Sequence, residues 1–72
     1  MEFKKYEYKT FELVSYYSQI GDEVLVVTDS LNSEPTNHTF GWIDEMPGDE
    51  EVVSEDEVPD SVIEIFEENS NE

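Results

Sequence analysis

Carboxylates are the side chains of this sequence with the most obvious chemical potential. Two runs, Asp49-Glu50-Glu51 and Glu55-Asp56-Glu57, are separated by three residues, and the chain carries 20 Asp and Glu residues in all. Paired carboxylates can act as general acid and base, and runs of them supply the oxygen ligands that Ca²⁺ and Mg²⁺ prefer. Acid–base catalysis needs two carboxyl groups in different environments, which a chain of 72 residues has little interior to create. Neither run has the spacing of an EF-hand loop, so we expect diffuse attraction of cations rather than a metal site.

Other catalytic residue types are scarce. The chain has no cysteine, and its single histidine, His38, lies between Asn37 and Thr39 without a recognisable base–nucleophile pattern. No glycine-rich loop of the kind that binds phosphate is present. We therefore expect a protein that is not an enzyme and that uses no cofactor.

The charge is concentrated towards one end of the chain. Residues 1–43 contain seven acids and all three lysines, whereas residues 44–72 contain thirteen acids and no base. A net charge of −17 repels nucleic-acid phosphates and anionic membranes, so neither is an expected partner. No apolar run has the length of a membrane span or the character of a secretory leader. These features predict a soluble, cytoplasmic protein.

Aromatic residues argue for a folded domain rather than an acidic coil. The chain has one Trp, four Tyr and four Phe, which disordered acidic segments usually lack. We predict a single small domain over 1–72, with a folding platform at 1–46, an acidic loop at 47–60 and an amphipathic helix at 60–69. Because so short a chain has a small core, we expect marginal stability, which a homodimer would increase.

Hydrophobic patterning predicts an α+β fold, in which a small antiparallel sheet is packed by one or two helices. Strands are expected at Phe3–Tyr8, Glu23–Thr28 and His38–Met46, with Val52-Val53 as a short edge strand. A polar loop is expected at 29–37. In this arrangement Trp42 and Phe66 are expected to be core residues.

Two segments have helical spacing. In residues 10–20, Leu13, Val14, Tyr17 and Ile20 recur at helical intervals, with Gly21 suited to the end of a helix, so we expect a helix there. The β-branched and aromatic residues of this segment also favour a strand, and a bulged strand stays open as the alternative. In the C-terminal helix, apolar and acidic residues fall on opposite sides. The apolar side has Val62, Ile63, Ile65 and Phe66, and the acidic side Glu64, Glu67 and Glu68.

The excess of negative charge is the strongest functional signal. Solubility requires only a moderate net charge, and DNA-binding proteins use cationic channels to match one phosphate charge per about 1.7 Å of duplex axis. A folded body with rigidly held carboxylates can occupy such a channel in place of DNA. We expect the acids of the C-terminal half to stand in for phosphates: Asp44, Glu45, Asp49, Glu50, Glu51, Glu55, Asp56, Glu57, Glu64, Glu67 and Glu68. Plain solubilisation, or a disordered acidic tail on an unrelated domain, are the other interpretations of the same charge.

In size, charge and mixture of aromatics with carboxylates, the whole chain resembles the small acidic DNA-mimic inhibitors that bacteriophages direct against host DNA-binding proteins. Within that group it is similar to the staphylococcal-phage inhibitors of the replication sliding clamp. The resemblance implies inhibition by occupation of the DNA channel of a basic host protein, the sliding clamp first among them. The segment Val62-Ile63-Glu64-Ile65-Phe66 also resembles the clamp-binding pentapeptide (Gln, aliphatic, Ser or Asp, Leu, Phe), although it lacks the Gln. The favoured interpretation of this segment is the core side of a helix.

A second resemblance covers residues 21–60. The run Gly21–Val27, followed by Gly41–Met46 and then by Pro59-Asp60, is similar to small phage-encoded SH3-like barrels. It implies an all-β barrel as the alternative fold. The corresponding alternative function is an acidic adaptor domain that binds a protein partner through aromatic residues.

Overall fold

An antiparallel sheet with one helix packed on it makes up most of the chain that the computed structural model describes, namely residues 2–8, 10, 12–30 and 39–70. The elements in order are β1 (Phe3–Glu7), β2 (Leu13–Ile20), β3 (Glu23–Ser30), β4 (Thr39–Ile43), β5 (Glu51–Val53), a 3-10 turn (Glu55–Glu57) and α1 (Asp60–Ser70). The strand order is β4-β3-β2-β1-β5, and the sheet is not closed into a barrel. The predicted α+β fold is therefore confirmed, and the all-β barrel alternative is wrong.

The strands predicted at Phe3–Tyr8, Glu23–Thr28, His38–Met46 and Val52-Val53 are present, with altered limits. Strand β3 extends to Ser30, so residues 29 and 30 of the polar loop predicted at 29–37 belong to a strand, and the rest of that loop lies outside the described residues. Strand β4 ends at Ile43 rather than at Met46, because the chain there leaves the sheet. His38, at the predicted start of β4, also lies outside the described residues.

The helix predicted at 10–20 is wrong, and the alternative of a strand is correct, although its pairing with both neighbours shows no bulge. Residues 13–20 form β2, which pairs with β1 on one side and β3 on the other. Both faces of β2 are covered: Tyr16 is buried on one face and Tyr17 on the other. Burial on both faces places apolar residues at consecutive positions, and this removes the simple alternation by which a strand is recognised.

The two faces of the sheet are covered by different parts of the chain. The face against α1, here called the helix face, carries Phe3, Val14, Tyr16, Leu25 and Val27, which form one core cluster with Val58, Val62 and Phe66. The opposite face carries Tyr6, Ser15, Tyr17, Val24 and Val26, as the strand register requires. Residues 44–50 link β4 at one edge to β5 at the other and pass over this second face, where Pro47, Asp49 and Glu50 lie beside the tyrosines. We call it the crossover face.

Two side chains of α1 form the centre of its contact with the sheet. Val62 and Phe66 are fully buried, and the Phe66 ring meets the Phe3 ring edge-on at a centroid distance of 5.2 Å. The predicted helix is thus confirmed, as is the core position of Phe66. The helix begins directly after Pro59, whose carbonyl accepts hydrogen bonds from the N–H groups of Val62 and Ile63 at 3.0 Å.

The core position expected for Trp42 is wrong, since 42% of its surface is exposed. Trp42 and Phe40 lie on the helix face, where they pair with Leu25 and Val27. Strand β4 is an edge strand, however, and α1 packs on β2 and β3, so the helix leaves these two rings uncovered.

Replacing Phe66 with Ala tests whether this docking stabilises the fold. We expect a loss of about 3–5 kcal/mol of unfolding free energy, because truncation of a buried Phe leaves a cavity. Urea unfolding followed by circular dichroism measures it. Val52→Ala, on a side chain that is 65% exposed, serves as the control and should change stability by less than about 0.5 kcal/mol. Equal losses in the two variants would contradict the assignment of the core.

Candidate functional site

The outward side of α1 carries an unbroken set of acids. Val62 and Phe66 face the sheet, and this fixes the rotation of the helix about its axis. Four carboxylates are thereby directed to solvent, all of them exposed: Asp60, Glu64, Glu67 and Glu68. We call these four residues the acidic stripe. Asp60, which sequence reasoning did not include among the phosphate mimics, belongs to this set because it precedes Glu64 by one helical turn.

The mean density of charge along the acidic stripe is close to that of the phosphates of one DNA strand. An α-helix rises 1.5 Å per residue, so Asp60 and Glu68 are about 12 Å apart along the axis. Four carboxylates over this length give one charge per ~4 Å, against one per about 3.4 Å along a single DNA strand. The helix thus presents negative charge at nearly the linear density of one polynucleotide strand.

The 3-10 turn continues the acidic surface next to α1. Glu55, Asp56 and Glu57 are all exposed. The carboxylate of Glu57 also has a structural role, because it accepts a hydrogen bond from the Ser54 N–H at 3.2 Å. No lysine or arginine occurs anywhere in residues 44–72, so none of these acids has a basic neighbour along this half of the chain.

The remaining predicted phosphate mimics lie elsewhere. Asp44 and Glu45 are exposed directly after β4, and Asp49 is exposed over the crossover face, on the opposite side of the sheet from α1. Glu50 in the same segment is half-buried, and its two carboxylate oxygens accept hydrogen bonds from the Gly48 N–H at 2.9 and 3.2 Å. Glu51 is exposed on β5 at the edge of the sheet. The structure therefore divides the predicted residues between two opposite sides of the molecule.

A group of tyrosines beneath the crossing segment was not anticipated from the sequence. The rings of Tyr6 and Tyr8 meet edge-on at a centroid distance of 4.9 Å, and both line a cavity of about 200 Å³ with Tyr17. The buried Ser15 hydroxyl donates to the Tyr8 oxygen at 3.2 Å and lies 2.9 Å from the hydroxyl of Thr28. These contacts support the segment that carries Asp49 and Glu50. The sequence does not show them, because the tyrosines come from two strands whose pairing it leaves open.

Burial raises the pKa values of the two tyrosines of β2. Burial, together with a hydrogen bond to Tyr8, raises the pKa of Tyr17 from 10.0 to about 12. Burial also raises the pKa of Tyr16. Both hydroxyls therefore stay neutral at physiological pH, and neither adds to the negative charge of the surface.

Positive charge is sparse on this surface, and one lysine is paired with an acid of its own strand. Lys5 Nζ lies 3.3 Å from Glu7 Oε1, and this is the only ion pair within the described ranges. Lys4 is on the crossover face of β1, by its pairing with Tyr17. Lys9 lies outside the described residues. Lys4 and Lys5 thus lie on β1, and within the described residues no ion pair joins either of them to an acid of α1.

An apolar edge lies apart from both acidic sides. Phe40 and Trp42 of β4 are 53% and 42% exposed, and β4 contains no charged residue. On its crossover side, β4 borders an open groove of about 440 Å³ that Tyr17, Val26 and Pro47 help to line. Alternation of Phe40 and Trp42 about Gly41 could have placed both rings on one face, but the sequence does not indicate which strand lies at the edge.

Three other expectations concern binding and membranes. The pentapeptide-like run from Val62 to Phe66 is the core side of α1 as predicted, since both of its terminal residues are fully buried. In residues 2–8, 10, 12–30 and 39–70, no three His, Cys, Asp or Glu side chains come together in a way that could hold a metal ion. None of the helices in these ranges is long and apolar enough to cross a membrane.

No family model, no curated protein and no solved structure matches this chain. The resemblance to phage DNA mimics therefore has no support beyond the residues themselves.

The C-terminal turn of α1 offers a test of how the acidic stripe affects stability. Glu68→Lys should stabilise the protein by about 1 kcal/mol, because it removes repulsion with Glu64, creates an attractive pair and complements the helix dipole. Glu2→Lys makes the same change of charge outside the helix and should stabilise less. Thermal unfolding of both variants at low and high salt measures the difference, which salt should reduce. A gain for Glu68→Lys no larger than for Glu2→Lys would contradict this electrostatic description of α1.

The raised pKa of Tyr17 predicts that the folded protein loses stability in alkali over a particular pH range. Its pKa is about 12 in the folded protein, against 10.0 for an ordinary tyrosine, so the unfolded chain releases this proton first. The contribution is complete below pH 10.0 and is lost as pH rises to about 12. In Tyr17→Phe the unfolding free energy should fall less over this range, as measured by urea unfolding at successive pH values. Parallel profiles for the variant and the unchanged protein would contradict the prediction.

Proposed function

We propose that this protein is a non-enzymatic inhibitor that occupies the cationic DNA channel of a bacterial DNA-handling protein, first of all the replication sliding clamp. The observation that carries the proposal is the acidic stripe of α1. Its four exposed carboxylates have no basic neighbour on the helix and average one charge per ~4 Å along the axis. A channel that holds the phosphates of a DNA strand can accept such a row of charges.

Repulsion within the acidic stripe lowers the stability of α1. Asp60 and Glu64, and again Glu64 and Glu68, are like charges one turn apart, and such pairs destabilise a helix. Glu67 and Glu68 also lie at the end of the helix where negative charge is unfavourable, and the last turn contains no base. A helix that merely faced solvent would gain from a lysine in place of Glu67 or Glu68. The absence of one supports a role for the charges in binding.

Rigidity also favours a mimic over a flexible acidic tail. The stripe is fixed by Val62 and Phe66, which are fully buried, and the acids of the crossing segment lie over the tyrosine group. The backbone of both acidic regions is therefore ordered before a partner arrives. Less conformational entropy is then lost on binding.

The division of the acids between two sides favours a particular kind of channel. An open DNA-binding groove contacts one side of its ligand, and it would meet either the stripe or the crossing segment. A channel that encloses DNA can meet both sides at once. This is the reason for placing the ring-shaped sliding clamp ahead of other basic DNA-binding proteins.

Binding to a purified bacterial sliding clamp tests the proposal directly. Affinity should fall as salt rises, because salt screens the attraction between carboxylates and the cationic channel. Duplex DNA threaded through the clamp should compete with the protein. Affinity that is unchanged between low and high salt, or simultaneous binding of protein and DNA in the channel, would sink the proposal.

Matched variants identify the residues responsible. Glu64→Gln, Glu67→Gln and Glu68→Gln together should weaken binding about tenfold, at roughly 0.5 kcal/mol for each exposed charge. The control combines Glu2→Gln, Asp22→Asn and Glu23→Gln. It removes the same charge from exposed positions of the N-terminal half and should weaken binding less than about twofold. Equal effects of the two triple variants would show that net charge, and not the stripe, governs binding.

A protein-binding adaptor is the second candidate, and the exposed rings of Phe40 and Trp42 favour it. In that case Trp42→Ala should abolish binding of the partner, and the triple variant of α1 should leave it unchanged. Binding would also depend weakly on salt. The same titrations therefore separate the two candidates.

A further inference from the structure

Strand β4 is an edge strand without the usual protection. Edge strands are commonly kept from pairing with other chains by charged residues, by proline or by very short length. The opposite edge, β5, has three residues and carries Glu51. By contrast, β4 has five residues with no charge and no proline, and it exposes Phe40 and Trp42. No strand within the described residues pairs with its outer edge.

We propose that a second copy of this chain occupies this edge. The two β4 strands would pair antiparallel about a two-fold axis that passes by Gly41, so that one sheet runs through both copies. This inference does not depend on the proposed function, because it uses a surface that none of the phosphate-mimicking acids occupies.

The register follows from the strand itself. Thr39–Ile43 is centred on Gly41, so all of its residues pair only when Gly41 lies opposite the partner's Gly41. Phe40 then lies opposite the partner's Trp42, and Trp42 opposite the partner's Phe40, all on the helix face. Cross-strand aromatic pairs of this kind are among the favourable contacts of antiparallel sheets. The strand is thus complementary to itself.

Charge opposes the association of two such acidic chains, and this edge is where the opposition is smallest. In the proposed register the two Asp44 residues lie at opposite ends of the paired strands, six positions or about 20 Å apart. This exceeds the Debye length of about 8 Å at physiological salt. An uncharged strand is the part of the surface where two such acidic molecules can approach. A basic partner, in contrast, would find complementary charge on α1 rather than here.

Because Gly41 lies at the proposed two-fold axis, a substitution at this position can test the register. A Cβ built at Gly41 meets no atom within 4 Å, and the chain has no cysteine. Gly41→Cys therefore introduces a single thiol, at the predicted two-fold axis, that the protomer accommodates. Under mild oxidation it should form a disulfide-linked dimer. Val52→Cys, at an exposed position of the other edge, is the control and should cross-link much more slowly.

Sedimentation over a range of protein concentrations tests the dimer in the unmodified chain. Pairing of one short strand buries less area than a standard interface of about 1,600 Å², so we expect a dimer that dissociates on dilution. Phe40→Lys should weaken it at least tenfold. Val52→Lys makes the same change of charge on β5, the edge strand without an aromatic residue, and should not weaken the dimer. Dilution should also shift the fluorescence of Trp42, the only tryptophan.

Each result of these experiments either supports or contradicts the proposed dimer through β4. A dimer that Phe40→Lys weakens and Val52→Lys does not, with selective cross-linking of Gly41→Cys, supports it. A monomer at every concentration, equal sensitivity to the two lysine variants, or equal cross-linking of the two cysteine variants overturns it. Should Phe40→Lys fail to fold by circular dichroism, the cysteine pair decides alone. Salt separates the inference from the proposed function, since it should strengthen the dimer and weaken binding to the clamp.

Discussion

The docking of α1 on the helix face is the interaction on which the other features depend. By itself the helix has little reason to form, because its acids repel one another and its last turn lacks a base. Burial of Val62 and Phe66 against the sheet supplies the stabilisation that local interactions do not. The same contact sets which residues face outward. The apolar docking of α1 thus determines both that the helix exists and where its charges point.

The acidic half of the chain is built into the core rather than attached to it. Val58, Val62 and Phe66 belong to the same cluster as Phe3 of the first strand, and β5 pairs with β1. Residues 44–70 therefore supply apolar contacts and surface charge in alternation. Self-repulsion is kept at the periphery, while the central strands β2 and β3 are nearly free of charge over their buried length. This distribution lets a small domain tolerate a large net charge.

Sequence patterning predicted the fold class and α1 because each signal there was local. The helix has one apolar side, one acidic side and a proline at its start, and all three are visible without knowledge of the tertiary structure. Residues 10–20 were misassigned for the opposite reason: the strand is buried on both faces, so its pattern depends on neighbours that the sequence does not reveal. Trp42 was misplaced because its exposure is decided by strand order. For the same reason, the split of the acids between two sides could not be read from their spacing.

The pairing of β5 with β1 also governs when the sheet can be completed. It joins Phe3 to Val53, so a long stretch of chain has to be ordered before this ladder closes, and long-range closure slows folding. During synthesis on the ribosome, the meander from β1 to β4 can emerge first, with β1 lacking its outer neighbour. The apolar side of α1 is made after these strands. In that interval the outer edge of β1 has no neighbour, and the core residues of the helix face are not yet covered by α1.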